Sequence, residues 1–371
     1  MQKMSVTCWF NRLLAPALAF LLTLGQLTTA AEAQEYRIDR IADGFDVPWS
    51  LALLPDESLL ITERPGRLWH VAQDGSRQRI SGLPEIVAEG QGGLLDVVAA
   101  RDFSRSRTIY FSYVTKVPGG LGTALAAAQI DLDRHRLEQL RVLFKMPKGN
   151  NNARHFGGRI VEGRGGFVFL TIGDMGDRRQ AQNTDSHFGK ILRLHLDGTA
   201  PRNNPFHGFR NARREIWSIG HRNPQGATLG NGDTLWTSEH GPRGGDEVNF
   251  IKRGANYGWP VISYGTHYNG RKVGEGTQKR GMEQPKIYWD PSIAPSGIVY
   301  YTGRMFPEWQ GDLFVGSLKF DHIAHVSGDT FRIKQRIEGP ETGRVRDVRQ
   351  ANDGALWFLS EDEGAVFRLW R

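Results

Sequence analysis

The chain has 371 residues, a formal charge of +7, 45 glycines and a single cysteine. Its length allows a large hydrophobic core and argues against a small cysteine-stapled module. No more than two Lys or Arg are ever adjacent and acids are interleaved with them, so the basic balance reads as a solvated mixed surface rather than a nucleic-acid face.

Lys3 and Arg12 precede an apolar run from Leu13 to Leu27, and Ala31-Glu32-Ala33 fits a small-residue cleavage site. A basic start, a short apolar middle and a small-residue end predict a secretory leader over residues 1–33. The remaining 34–371 form one predicted domain, exported to a bacterial periplasm. Cys8 lies inside the leader, so the mature chain would hold no thiol. No second long apolar run exists, and no membrane span is expected in the mature chain.

Six β-branched and aromatic runs follow in order: "SLLITE" from Ser58, "TIYFSYV" from Thr108, "GFVFLTIG" from Gly166, "TLWTSEH" from Thr234, "DLFVGSL" from Asp312 and "ALWFLSED" from Ala355. Turn signals such as "LPDE", "GNGD" and "ANDG" precede several of them. The starts are 50, 58, 68, 78 and 43 residues apart. Units of this size, each a small antiparallel sheet unable to bury both faces alone, predict an all-β propeller with its ends meeting. A sandwich pair or an irregular solenoid is the competing reading. The uneven gaps predict insertions, chiefly in units four and five.

Several loops carry candidate chemistry. "EGQGGLLD" exposes Gln91 between glycines. "ARHFGGRI" places His155 at a loop–strand junction, where it can act as a general base or as a structural hydrogen-bonder. "GHRNPQG" offers the planar cation of Arg222 and the amide of Asn223 to oxygen acceptors. In "EHGPRGGDEVN" the carbonyls of Gly241 and Pro242, with the carboxylates of Asp246 and Glu247, suit calcium, although a glycine turn is the alternative. Lys319 ends the fifth run, and "GRVRDV" sets Arg344 and Arg346 on one face of a strand, so these three cations can meet on a polyanion. No HExxH, paired CxxC or G-x-S-x-G is present.

Together, "GQGGLLDV", "HFGGRI", "GKILRLHLDG", "GHRNPQG", "EHGPRGGDEVNFIKRGANYGWP", "SIAPSGIVYY", "GSLK" and "RVRDV" resemble, in this order, the soluble quinoprotein sugar dehydrogenases, on the aldose sugar dehydrogenase branch. The resemblance runs from about Phe45 to the C-terminus. It implies a six-bladed β-propeller of four-stranded antiparallel blades around a central channel, with pyrroloquinoline quinone (PQQ) and Ca2+ as cofactors. It implies His155 as the base at the sugar C1 hydroxyl and Arg222 beside the reduced oxygen. Gln91 and Trp289 would contact sugar or cofactor, and Asn223, Lys319, Arg344 and Arg346 would hold PQQ. Gly241 and Pro242 would bind a catalytic calcium. Glu247 and Tyr257, with Asp246 beside them, would serve a second, structural one.

Arg154 departs from the glucose-specific pattern, which has an acid before the histidine, and the spacing from Trp289 to "APS" differs by one residue. Both departures point to a broad aldose range. The expected partners are a small aldose and an electron acceptor that the sequence leaves open, in a monomer or homodimer. A calcium-dependent lactonase and a non-catalytic binding propeller remain the rival readings.

Overall fold

The computed structural model describes residues 36–371, so the predicted leader and its cleavage site lie outside the described residues. The described residues form one compact unit of six four-stranded antiparallel sheets. Each of the six sequence runs is the second strand of its blade: Leu59–Glu63, Thr108–Val117, Phe167–Ile172, Leu235–Glu239, Leu313–Ser317 and Leu356–Ser360. These strands are sandwiched by pairing on both sides and by neighbouring blades on both faces, which is why they read as near-continuous apolar runs. Between blades two and three, for example, Tyr110, Val114, Leu125 and Phe144 pack with Val168, Leu170, Leu192 and Leu194.

The ends do meet. Arg37–Ala42 pairs antiparallel with Ala365–Trp370, from Arg37 opposite Trp370 to Ala42 opposite Val366. The first described strand is therefore the outermost strand of blade six, and the described residues form six blades. This pairing covers the outer side of Ala365–Trp370 and joins the two ends of the described chain in one sheet.

The insertions are not where the gaps suggested. They sit inside blade three, at 173–189 and 196–215, and inside blade four, at 252–286, while the strands of blade five follow one another closely. A gap measured from one second strand to the next belongs to the earlier blade, so the expectation of units four and five was displaced by one.

The innermost strands start at Pro48, Leu94, Ile160, Pro224, Pro295 and Val345. Because neighbouring strands are antiparallel, the starts of these strands and the ends of the second strands lie on one face of the ring. Below that face the channel is closed by ions. Arg159 Nη1 bonds Asp96 at 3.1 Å and Asp347 at 2.9 Å, and Arg349 bonds the same two acids at 2.7 and 2.9 Å. Both acids and Arg159 are at most 1% exposed. Two positive and two negative charges cancel here, and Asp96 also accepts the Ile160 amide at 2.7 Å.

Candidate functional site

A cavity of about 270 Å3 opens on the face where the innermost strands begin. Its wall includes Gln91, Asn223, Arg344 and Arg346, four of the residues expected from sequence. Trp49, Arg64, Phe156, Gln225, His240 and Glu361 line it as well. The Arg159–Asp96–Asp347 cluster supports it from below, since the Arg159 guanidinium lies 4.4 Å from the Trp49 ring centre.

His155 stands at the junction before strand Ile160–Gly163, in the left-handed backbone region (φ 55°). The two following glycines make that turn possible. A Cβ at Gly157 would lie 2.7 Å from the Thr171 carbonyl oxygen, and one at Gly158 would lie 2.5 Å from Leu95 Cδ1. The backbone amide of His155 donates to Gln91 Oε1 at 2.7 Å, which ties the two residues together. Its Nδ1 is 2.7 Å from Asp174 Oδ1. An ionised carboxylate only accepts, so Nδ1 carries the proton and Nε2 is the basic nitrogen.

Asp174 is held in turn by the Trp259 indole N–H at 2.8 Å and the Gly176 amide at 2.8 Å. Burial pushes the Asp174 carboxyl up, but its bond to His155 and the Gly176 amide outweigh that and leave it below its ordinary value. Burial lowers the His155 pKa, and the Arg222 and Arg154 charges add to the effect against the pull of Asp174. The result is a neutral, oriented imidazole at neutral pH.

Arg222 is buried against Trp259, 5.4 Å from the ring centre, and donates to the His240 carbonyl at 3.0 Å. Asn223 Oδ1 accepts from the Gly157 amide at 3.2 Å and from Gln225 at 3.3 Å. Across the cavity, Arg346 is paired with Glu361 at 2.7 Å and with Gln225 Oε1 at 3.2 Å. Arg344 reaches Glu361 at 3.3 Å and the Leu318 carbonyl at 2.8 Å. Lys319 is exposed and lies 4.8 Å from the Phe320 ring centre, with no carboxylate in ion-pair range among the described residues. Three cations, Arg64, Arg344 and Arg346, line a cavity whose wall holds one carboxylate, Glu361, a donor set that fits an oxidant with several carboxylates; Lys319 lies next to the lining residue Leu318 but is not itself on the wall.

The 240–245 loop joins the second and third strands of blade four. The carbonyls of Gly241 and Pro242 accept no hydrogen bond from any described residue. Asp246 uses both oxygens inside the loop: Oδ1 accepts from the Gly241 amide at 2.8 Å, and Oδ2 from Ser292 at 2.6 Å and the Ala294 amide at 2.8 Å. It braces the loop that presents the two carbonyls. Among the described residues no three carboxylate, imidazole or thiol side chains gather as a metal cage. A hard cation here would take main-chain carbonyls and oxygens of its ligand, which suits calcium.

Behind this loop, Glu239 and Glu247 face each other as cross-strand neighbours, and Thr237 faces Asn249 one step further along. Thr237 Oγ1 and Asn249 Oδ1 are buried without partners. Burial pushes both carboxyls up, and for Glu247 the neighbouring Glu239 adds to this. Tyr257 lies close by, its ring 4.7 Å from that of His221, whose Nδ1 is 3.2 Å from Glu239. Its hydroxyl donates to the Phe250 carbonyl at 2.6 Å and accepts the Lys252 amide at 2.8 Å, so only its main chain faces no described partner through its carbonyl.

Trp289 goes elsewhere. Its ring is buried with Trp236, Val248, Ile293 and Leu313 between blades four and five and is not on the cavity wall. The aromatic groups on the cavity wall are Trp49, Phe156 and His240. Sequence reading also missed Asp174 and His240. Asp174 sits in an ordinary "GDMGD" turn, and His240 was quoted within the glycine loop without a role. Its Nε2 donates to the Pro295 carbonyl at 2.8 Å, and burial, with Arg222 and Arg346, pushes its pKa down to about 3.

The six-bladed ring matches solved structures of aldose sugar dehydrogenases. The chain belongs to the Glucose / Sorbosone dehydrogenase family, whose profile matches residues 45–368. It is 41% identical to aldose sugar dehydrogenase YliI of Escherichia coli, over 92% of this chain and 95% of that protein. The crystal structure of the soluble aldose sugar dehydrogenase from Escherichia coli in its apo form superposes with a TM-score of 0.87 at 39% identity, covering 90% of this chain and 99% of the other. The PQQ-bound aldose sugar dehydrogenase from Streptomyces coelicolor superposes with a TM-score of 0.76 at 26% identity, covering 91% and 98%.

Proposed function

We propose that the protein oxidises the C1 hydroxyl of aldose sugars to the lactone, over a broad range that includes glucose. The observation that carries this reading is the Gln91–His155–Asp174 chain: a neutral imidazole, fixed by a buried carboxylate, at the edge of a cation-lined cavity. When bound, PQQ would supply a two-electron acceptor for the sugar's hydride, and Ca2+ would supply Lewis-acid polarisation.

The chain's own residues do the rest. His155 Nε2 takes the proton of the C1 hydroxyl while Asp174 steadies the imidazolium through Nδ1. Arg222 stabilises negative charge developing near it. Gln91 contacts the sugar. Asn223, Lys319, Arg344 and Arg346 hold cofactor carboxylates and carbonyls. The Gly241 and Pro242 carbonyls take the catalytic calcium, with Asp246 shaping their loop. Glu247 and Tyr257, joined by Glu239, take a second, structural calcium. The leader is removed near Ala33 and the mature enzyme works in the periplasm with an acceptor outside this chain.

Purified protein incubated with PQQ and Ca2+ should oxidise a panel of aldoses with a dye acceptor and bleach the quinone absorption on sugar addition. No turnover across the panel would sink the reading. His155→Ala should lower kcat/KM by about 10²–10⁴-fold while PQQ still binds. A near-normal rate in that variant would remove His155 from the role of base.

A further inference from the structure

The residues assigned so far leave two guanidiniums beside Gln91 unexplained. Arg64, at the end of the second strand of blade one, lines the cavity and donates to the Gly90 carbonyl. Arg154 precedes His155 and is exposed. Its guanidinium rests on Gly176, where a Cβ would stand 2.5 Å from Nε, so the missing side chain makes room for it. Gly90 and Gln91 lie between the two. Gln91 donates its amide to the Ala153 carbonyl at 2.9 Å, and Gly90 packs so close to Ala153 that a Cβ would stand 2.2 Å from its oxygen.

Neither arginine has a carboxylate in ion-pair range among the described residues. Glu89 and Asp177, close in sequence, pair with neither. The one carboxylate on the cavity wall, Glu361, is taken by Arg344 and Arg346, and Asp174 is taken by His155 and Trp259. Arg64 on the cavity wall and Arg154, next in sequence to His155, are thus two guanidiniums without a carboxylate partner, and a guanidinium fork matches a carboxylate or phosphate in two parallel bonds.

We propose that Arg64 and Arg154 select aldoses bearing an anionic group at the end away from C1: a hexuronate carboxylate or a sugar phosphate. This rests on the reading of the site as an aldose dehydrogenase. The chemistry is unchanged by it. C1 loses hydride to PQQ and the hydroxyl proton to His155, the lactone forms, and the anionic group passes through untouched.

The test compares glucose, glucuronate, galacturonate and glucose 6-phosphate on the PQQ- and Ca2+-loaded protein. At low ionic strength, about 0.01 M, at least one anionic sugar should exceed glucose in kcat/KM by about tenfold. The advantage should shrink by about 0.3 M salt, as exposed charges are screened. Whether a uronate or the phosphate gains identifies the anion. Arg64→Gln combined with Arg154→Gln should lower the anionic-to-glucose ratio about tenfold. If glucose is oxidised and every anionic sugar is equal or worse at low salt, this proposal falls and the enzyme reading stands. If the ratio survives in the double variant, the arginines are not the selecting groups. If no aldose turns over, both readings fall together.

Discussion

Two buried acidic clusters lie a few residues apart from the same cavity and behave in opposite ways. In the channel, Asp96 and Asp347 are matched by Arg159 and Arg349, and the carboxylate oxygens also take main-chain amides. In blade four, Glu239 and Glu247 face each other with no guanidinium or ammonium in ion-pair range; Glu239 has only the His221 ring at 3.2 Å and the more distant Arg222 charge, and orphaned Thr237 and Asn249 oxygens lie next to the pair. The first cluster is complete as built and fastens the inner strands of blades two, three and six together. The second gathers two carboxyls that burial pushes up toward the neutral form, and in the reading proposed above a divalent ion would hold them ionised. Burial alone does not mark a functional group; burial with unmet charge does.

This contrast can be broken from either side. The largest expected effect is in the complete cluster. Arg159→Met leaves Asp96 and Asp347 with only Arg349 and should cost about 3 kcal/mol of unfolding free energy, read from urea denaturation. A loss below about 1 kcal/mol would mean that Arg349 suffices.

Next, calcium at about 100 times its Kd should stabilise the protein by about 2.7 kcal/mol over a chelator-treated sample, by mass action. Glu239→Gln with Glu247→Gln should abolish much of that response while leaving the chelated protein no less stable than before. An unchanged calcium response would move the second ion elsewhere.

The smallest effect concerns His155. Its pKa is held below the ordinary 6.5 chiefly by burial, so the basic form persists as pH falls. The acidic limb of kcat/KM should therefore lie below pH 6.5, and Trp259→Phe, by freeing Asp174 Oδ2, should shift that limb by less than about one unit. An acidic limb above the ordinary imidazole value would contradict the geometry.

Much of this architecture was legible because it is local. A second strand buried on both faces must be apolar along its length, so "SLLITE" and "ALWFLSED" announced their blades. Glycine pairs announced the backbone turns at His155 and at Gly241. What stayed hidden depends on distant pairing. Arg159 meets Asp347 across 188 positions of sequence, and nothing local in "GGRI" distinguishes that arginine from a surface one. Asp174 gains its role only when a turn of blade three folds onto the loop before it. Trp289 misled because an indole near a loop reads equally as a stacking surface or as a core residue, and its cross-strand pairing with Asp246 puts it in the core.

The closing strand has a bearing on how such a chain reaches its native state. Arg37–Ala42 can find its neighbour only after Ala365–Trp370 has been synthesised, so the sixth sheet waits for the whole polypeptide. Bringing together segments some 320 residues apart is entropically dear, though only logarithmically so in the length between them. Five sheets can assemble from nearby sequence as it emerges. The final seam is a post-synthetic event, and a chain lacking either of its two strands would leave the outer side of blade six unpaired.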